Sequence, residues 1–354
     1  MKSISRVILS AILLVLTGLL VAAAHFATDW FFSFYPAFSR RAVGVLAAIT
    51  APLPFALWEV LVLLLALWAV YTLARCFSRH RGFLTWLSGV LLGVSAAVFL
   101  FVGLWGLGHF GPKAGEQLGL ETRPYTADEL YAAAAHYADQ ASAYALLVER
   151  NAEGVVQFSP FKTLAAQAGE GYEKLAELYD CFDGSTVRPK RLTAWKLYSS
   201  FGVTGVFLAF TGESSVNPDT FEASIPFTMC HEIGHRMAFP AENDANFCAY
   251  LACMANESVE FRYSGAYSAF IYCYNALHAE NPDRAAEIWN RVAEPVRADA
   301  RAATAHYRQY EGKIQDAAQK VNDAYLKTFQ EEDGVKSYGA VADYLIALYL
   351  TGEI

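Results

Sequence analysis

No two cysteines in the sequence are spaced as a CxxC pair; the six, Cys76, Cys181, Cys230, Cys248, Cys253 and Cys273, are scattered. That spacing argues against a cysteine-type zinc site. Five of the six lie beyond the apolar first third, and an odd number there speaks against a full disulfide framework. Mostly buried free thiols are expected instead. The chain also lacks any tract rich in lysine and arginine, and its formal net charge is -8. Both features argue against nucleic acid as a partner. Internal repeats and low-complexity segments are missing too, so solenoid and linker-dominated architectures are not expected.

What is abundant is apolar sequence. Of 354 residues, 55% are hydrophobic, and the mean hydropathy is +0.24. The excess sits in three runs, at about 8–24, 54–74 and 84–107. Each is close to the ~20 residues that cross a bilayer as a helix. The sequence therefore divides into a transmembrane region, 1–110, and a domain, 111–354, large enough for its own core. Glu59, near the start of the second run, reads as a carboxylate reaching to the membrane interface. A second reading of the first run is a cleaved leader, since "VAAAH" offers small residues for cleavage. Lys2, Arg6, Arg75, Arg79 and Arg81 fall on one side of the spans and Arg40, Arg41 and Lys113 on the other. That bias favours a cytoplasmic N-terminus and an extracytoplasmic C-terminal domain.

Beyond the spans the pattern is mainly α. Thr126 and Glu129 form a capping box that opens a helix running to about Arg150. A second helix is expected over 164–179, and long helical periodicity over 282–328. "GVTGVFLAFTGESSVN" reads as a β-strand, the core of a small sheet.

The chemistry is concentrated in "CHEIGHRMAFPAENDANFCAYLAC". His231 and His235 stand at i and i+4, so they project from one helical face. Two imidazoles so placed can hold one Zn²⁺. Glu232 is positioned to act as general base on a metal-activated water. The apolar surroundings, Met229, Ile233, Met237 and Phe239, imply a buried helix, where two histidines and a glutamate are costly without a partner. Catalytic zinc usually takes three protein ligands. Alanine at 241 excludes a third histidine there. Pro240 ends the first helix, and a second is expected over 242–254. On it Glu242, Ala245, Asn246 and Ala249 share one face. Alanines on that face let the helices approach, so Glu242 is the preferred third ligand, with Asn246 bonding a histidine or Glu242 from behind. Asp244, two residues on, is the alternative, and Glu257 and Glu260 are more distant ones. The six-residue turn between His235 and Glu242 contains no glycine, which makes the reversal tight.

"HEIGH" followed by "ENDANFCAYL" resembles the zincins whose third ligand is a glutamate in an E-x-x-A-[ND]-x-x-A pattern, such as the ImmA/IrrE-type peptidases and the membrane prenyl-protease-like metallopeptidases. The resemblance implies His231, His235 and Glu242 as ligands and Glu232 as base. Nearly the whole chain is similar to a closer group, the bacterial membrane family labelled domain of unknown function 3810. The pieces that carry this are "LWGLGHFGP", "SSFGVTGVFLAFTGESSVN", "IPFTMCHEIGHRMAF", "ENDANFCAYLAC", "RYSGAYSA" and "DGVKSYGAVADYLIALY". The chain departs from it at Ala238, where glycine is common, and at Asp244, where glutamate is. The family implies a three-helix transmembrane region followed by a zincin-like α+β metallopeptidase domain with a small sheet, in a bacterial cell membrane. In zincins of this type an edge strand above the zinc pairs with extended substrate. The strand over 202–217 is the candidate, with Glu213 and Asn217 lining the cleft. Arg262, Tyr263 and Tyr338 are candidate electrophiles for the tetrahedral intermediate.

The expectation is a membrane-anchored zinc metallopeptidase whose partners are the lipid bilayer and a peptide or protein substrate at its surface. The alternatives are a non-catalytic zinc-binding membrane module and a hydrolase of a non-peptide amide, such as cell-wall material. Glu232 favours an enzyme, because a structural zinc site needs no base beside its histidine.

Overall fold

The structure is a computed structural model that describes residues 2–78, 82–328 and 338–352. Five helices make up the first part: α1 (Lys2–Phe26), α2 (Thr28–Phe32), α3 (Tyr35–Thr50), α4 (Leu57–Ser78) and α5 (Phe83–Leu104). Within α1, α4 and α5 the stretches Ser3–Phe26, Leu57–Phe77 and Phe83–Leu104 are long and apolar enough to cross a membrane. They match the three expected runs, with the first helix starting earlier. α1 packs along α5. Leu20, Val21 and Ala24 near the end of α1 share a cluster with Val102 and Leu107. α3 was not expected. It carries Arg40, whose guanidinium is buried and donates to the Asp180 carbonyl at 3.2 Å. Arg40 is thus held by the folded domain. Arg79 and Arg81, on which the charge bias partly rests, lie outside the described residues.

Among the described residues twelve further helices follow: α6 (Ala114–Gln117), α7 (Ala127–Ala145), α8 (Phe161–Gln167), α9 (Glu170–Ala176), α10 (Trp195–Ser200), α11 (Ile225–Arg236), α12 (Glu242–Ala255), α13 (Val259–Glu280), α14 (Pro282–Arg291), α15 (Glu294–Arg308), α16 (Lys313–Thr328) and α17 (Tyr338–Thr351). The capping box of α7 is formed by Thr126 and Glu129 as expected. That helix stops at Ala145 instead of Arg150: Arg150 forms an antiparallel bridge with Val156, and its side chain folds back to donate to the Ala145 carbonyl at 3.1 Å. The helix expected over 164–179 is two, parted at Ala168 and Gly169. Gly171, at the start of the second, lies against α12: a Cβ there would come within 1.9 Å of the Ala252 carbonyl oxygen. The periodic stretch 282–328 is three helices, with Pro295 in the first turn of the middle one. The core centres on α13, which packs against α7, α12 and α17. Buried alanines of α7, Ala133, Ala134, Ala138 and Ala141, allow the close approach. All six cysteines are buried free thiols.

The sheet is small and mixed. β1 (Lys190–Arg191), β2 (Gly205–Leu208) and β3 (Glu213–Val216) lie in the order β1-β3-β2. The single strand expected over this region is therefore a hairpin, β2 antiparallel to β3. The turn is made at Gly212, whose φ of +65° favours glycine. Any Cβ at Gly212 would also lie 2.2 Å from the Val43 carbonyl of α3, so the turn doubles as a contact with the N-terminal helices.

Candidate metal site

α11 carries the HExxH sequence and α12 follows it after a sharp reversal. The reversal uses no glycine because Ala238 takes the left-handed conformation, φ 67°, and is the only non-glycine among the described residues with positive φ. Ala238 N–H donates to the His235 carbonyl at 3.1 Å and Phe239 N–H to the Gly234 carbonyl at 3.3 Å. These are the two bonds of a Schellman ending. An alanine held there is disfavoured by roughly 1–2 kcal/mol, part of which glycine would give back to unfolded-state entropy. Ala238→Gly should raise stability by about 0.5 kcal/mol, read as a later denaturation midpoint in detergent. A lower midpoint would show that the turn does not strain Ala238.

The reversal lays α12 against α11. A Cβ on Gly234 would come within 3.5 Å of Ala245 Cα, so the small residues of both helices set the separation. The consequence is a convergence of three side chains. His231 Nε2 is 3.3 Å from Glu242 Oε2, and His235 Nε2 is 3.6 Å from Glu242 Oε1. One ligand atom from each of His231, His235 and Glu242 lies within 4.8 Å of the others. The opposite ring nitrogens are occupied. His231 Nδ1 is 2.8 Å from Asn246 Oδ1, and His235 Nδ1 is 2.8 Å from the Phe239 carbonyl. A carbonyl only accepts, so His235 Nδ1 carries its proton and Nε2 is the nitrogen left to bind. Asn246, in its placed orientation, imposes the same tautomer on His231. This is how metal-binding histidines are usually oriented.

Glu232 projects beside this cluster. It is 4% exposed, and its Oε2 has no hydrogen-bond partner among the described residues. Burial pushes its carboxyl up to about 7 against the lowering pull of His231 and His235. Burial alone would lower His235, but the Glu242 carboxylate outweighs it and raises the imidazole to about 9. The same negative charge would favour a divalent cation between the nitrogens. The Glu242 side chain is 37% exposed, against 12% for His231 and 8% for His235, so it is the most open member of the cluster.

The surroundings fix α11 on several sides. Trp105, just past the third apolar helix, donates from Nε1 to the His235 carbonyl at 2.8 Å. Ser214 Oγ donates to the Glu232 carbonyl at 2.7 Å, and Tyr172 Oη to the Cys230 carbonyl at 2.9 Å. The fully buried Arg236 donates to the carbonyls of Ser185 and Val187. Among the described residues β2 is an edge strand, paired with β3 on one side. Its Gly205 faces Glu232 so closely that a Cβ would lie 2.2 Å from Oε1. Phe207, two residues on and so on the same face, has its ring 6.4 Å from that of His235. Val206 and Leu208 point the other way, to Ala56, Trp58 and Leu192. Trp105, Gly205 and Phe207 were not singled out in the sequence. Trp105 sits in "LWGLGHFGP", but nothing local to that motif says which helix it reaches.

The remaining candidates are placed elsewhere. Asp244 is buried and accepts from Tyr344 Oη at 2.9 Å, so it faces α17 and not the histidines. Asn217 is buried and donates to Ser199 Oγ and the Val203 carbonyl, closing a loop. Arg262 donates to the Asn256 carbonyl at 2.7 Å, at the end of α12. Tyr263 is buried and bonds Asp299, which also pairs with Arg150. Tyr338 opens α17, and its side chain lies outside the described residues. Of the more distant ligand alternatives, Glu257 pairs with Lys174 and Glu260 accepts from Ser159 N–H.

Glu213 is the largest correction. Its side chain does not line a cleft but is buried, with Lys190 Nζ at 2.6 Å. It also accepts from the backbone N–H groups of Leu57 and Trp58 at 2.9 and 3.0 Å. It therefore caps the N-terminus of α4, where orphan donors and the helix dipole favour an anion. Glu59, in the first turn of α4, accepts from Thr193 and Ala194 N–H at 2.9 and 3.1 Å, so it is tied to the domain and does not merely reach for the interface. Removing one partner of a buried ion pair costs about 3–5 kcal/mol. Lys190→Met should approach the lower end of that range, since α4 still faces Glu213. An unchanged thermal midpoint in detergent would contradict this.

The model of a family described as a protein of unknown function (DUF3810) matches residues 31–346. That stretch contains the second and third apolar helices and every residue of the converging site. No curated protein and no solved structure matches the chain.

Proposed function

The chain belongs to the DUF3810 family, and we propose that it is a membrane-anchored zinc-dependent metallopeptidase. The observation that carries this reading is the convergence of His231 Nε2, His235 Nε2 and the Glu242 carboxylate beside a buried Glu232 with an unpartnered oxygen. Two nitrogens and one carboxylate match the ligand set of open, catalytic zinc sites, and both outer ring nitrogens are engaged. His231, His235 and Glu242 would hold the ion. When bound, zinc supplies a Lewis acid for a carbonyl and lowers the pKa of water.

The chain's own groups do the rest. Glu232 takes the proton of the attacking water at its free oxygen and returns it to the leaving nitrogen. Gly205 leaves room for that carboxylate against β2. The free edge of β2 can add an extended peptide as a further strand, in which case Phe207 would border the reacting bond. In this reading residues 111–354 form a zincin-like catalytic domain. The three apolar helices anchor it, with the first retained as a span, consistent with its packing on α5. The N-terminus lies in the bacterial cytoplasm and the domain outside, and the substrate is a peptide or protein at the membrane surface.

The test is hydrolysis of a peptide mixture by the purified full-length protein, read by mass spectrometry. Cleavage at internal peptide bonds, lost on chelation and regained with zinc, is expected. Zinc-dependent cleavage confined to amides of cell-wall fragments would assign a non-peptide amidase instead. No zinc-dependent product from either would leave a non-catalytic zinc module.

A further inference from the structure

Between the end of α1 at Phe26 and the start of α4 at Leu57 the chain forms α2 and α3. α3 has 16 residues. At 1.5 Å per residue that is about 24 Å, short of the ~30 Å hydrocarbon core. Its inner face is committed to the folded domain. Val43 and Ala47 are fully buried, with Gly212 packed on Val43, and Arg40 bonds Asp180. A helix fixed along one face in this way does not cross a membrane.

Its outer face is apolar and open. Phe38 is 51% and Ile49 67% exposed, and Trp30, Phe34 and Val45 are exposed as well. The spacings of seven and four residues place Phe38, Val45 and Ile49 on one stripe of α3, and Trp30 of α2 meets Phe34, just before α3, edge to face with ring centroids 5.2 Å apart. A shallow groove of about 590 Å³ runs along it, lined by Phe34, Phe38 and Val45 with Arg41 among them. Arg41 is exposed. Soluble surfaces seldom leave an apolar stripe of this extent uncovered. The stripe is also continuous with the apolar helices. α2 begins one residue after the break that ends α1, and its Phe31 and Phe32 pack with Ala24 of α1 and Val102 of α5.

We propose that the outer face of α2 and α3 lies in the boundary between lipid headgroups and acyl chains, with phospholipid as its partner. The leaflet is the one where α1 ends and α4 begins. Trp30, Phe34, Phe38, Val45 and Ile49 contact acyl chains, as the apolar side of an interfacial helix does. Arg41 reaches outward to headgroup phosphates. α3 also packs on α11 and β3, so this contact seats the HExxH helix against the bilayer surface. The proposal is independent of the peptidase reading, since it needs only the apolar helices and α3.

The test uses full-length protein carrying Phe38→Cys, Val45→Cys or Ile49→Cys, one at a time. The native thiols are all buried, so an environment-sensitive fluorophore labels the new position selectively. Each labelled protein is reconstituted in vesicles of phosphatidylethanolamine and phosphatidylglycerol. Loss of emission with a lipid bearing a nitroxide near its headgroup is expected, with a smaller loss from a nitroxide deep in the chain and none from iodide in the buffer. Quenching by iodide alone would place the stripe in water and overturn the proposal. So would protection from both quenchers, which would mean a protein partner or second copy covers it. Strongest quenching by the deep nitroxide would overturn it too, by placing α3 inside the hydrocarbon core.

Discussion

Glu232→Gln should lower turnover by about 10²–10⁴-fold, the range expected for a positioned general base, while zinc content stays as in wild type. Glutamine keeps the shape and burial of the side chain but has no basic oxygen. Glu232 sits beside the converging atoms and donates no atom to the cluster of His231, His235 and Glu242. A parallel loss of zinc would show instead that Glu232 is a ligand. Unchanged turnover would remove it from the chemistry. Measuring kcat on a cleaved peptide together with metal content separates these outcomes.

The second large effect separates the two carboxylates of α12. Glu242→Ala should weaken zinc by more than the roughly 10–100-fold that follows loss of an outer hydrogen-bond partner. Asn246→Ala should fall within that range, because Asn246 orients the His231 ring from 2.8 Å. Asp244→Ala should leave zinc in place and reduce stability, since Asp244 accepts from Tyr344 on α17. Competition with a chromophoric chelator measures all three. Zinc lost with Asp244→Ala and kept with Glu242→Ala would contradict the geometry.

The parts of this arrangement that depend on local pattern were legible in the sequence. The i, i+4 spacing of His231 and His235 and the shared face of Glu242, Ala245 and Asn246 depend only on helical geometry, and the structure brings these residues together. The apolar runs and the capping box of α7 were legible for the same reason. What failed depended on distant partners. Glu213 looks like a cleft residue because it stands on the strand expected to lie above the zinc, yet it caps a helix that starts at Leu57. Tyr263 was one of many tyrosines, and its bond to Asp299 spans 36 residues. The strand at 202–217 divides because Gly212 must meet α3, which carries too little apolar sequence to stand out as a span. The turn after α11 looked too tight without glycine, and the chain resolves it by holding Ala238 in the left-handed region.

Zinc X-ray absorption on the purified full-length protein tests whether His231, His235 and Glu242 hold zinc. A first shell of nitrogen and oxygen only, at about 2.0–2.2 Å, including scattering from two imidazoles, is expected. A sulfur contribution near ~2.3 Å would point to one of the buried cysteines and contradict the assignment. So would a protein that retains no zinc after the metal has been supplied.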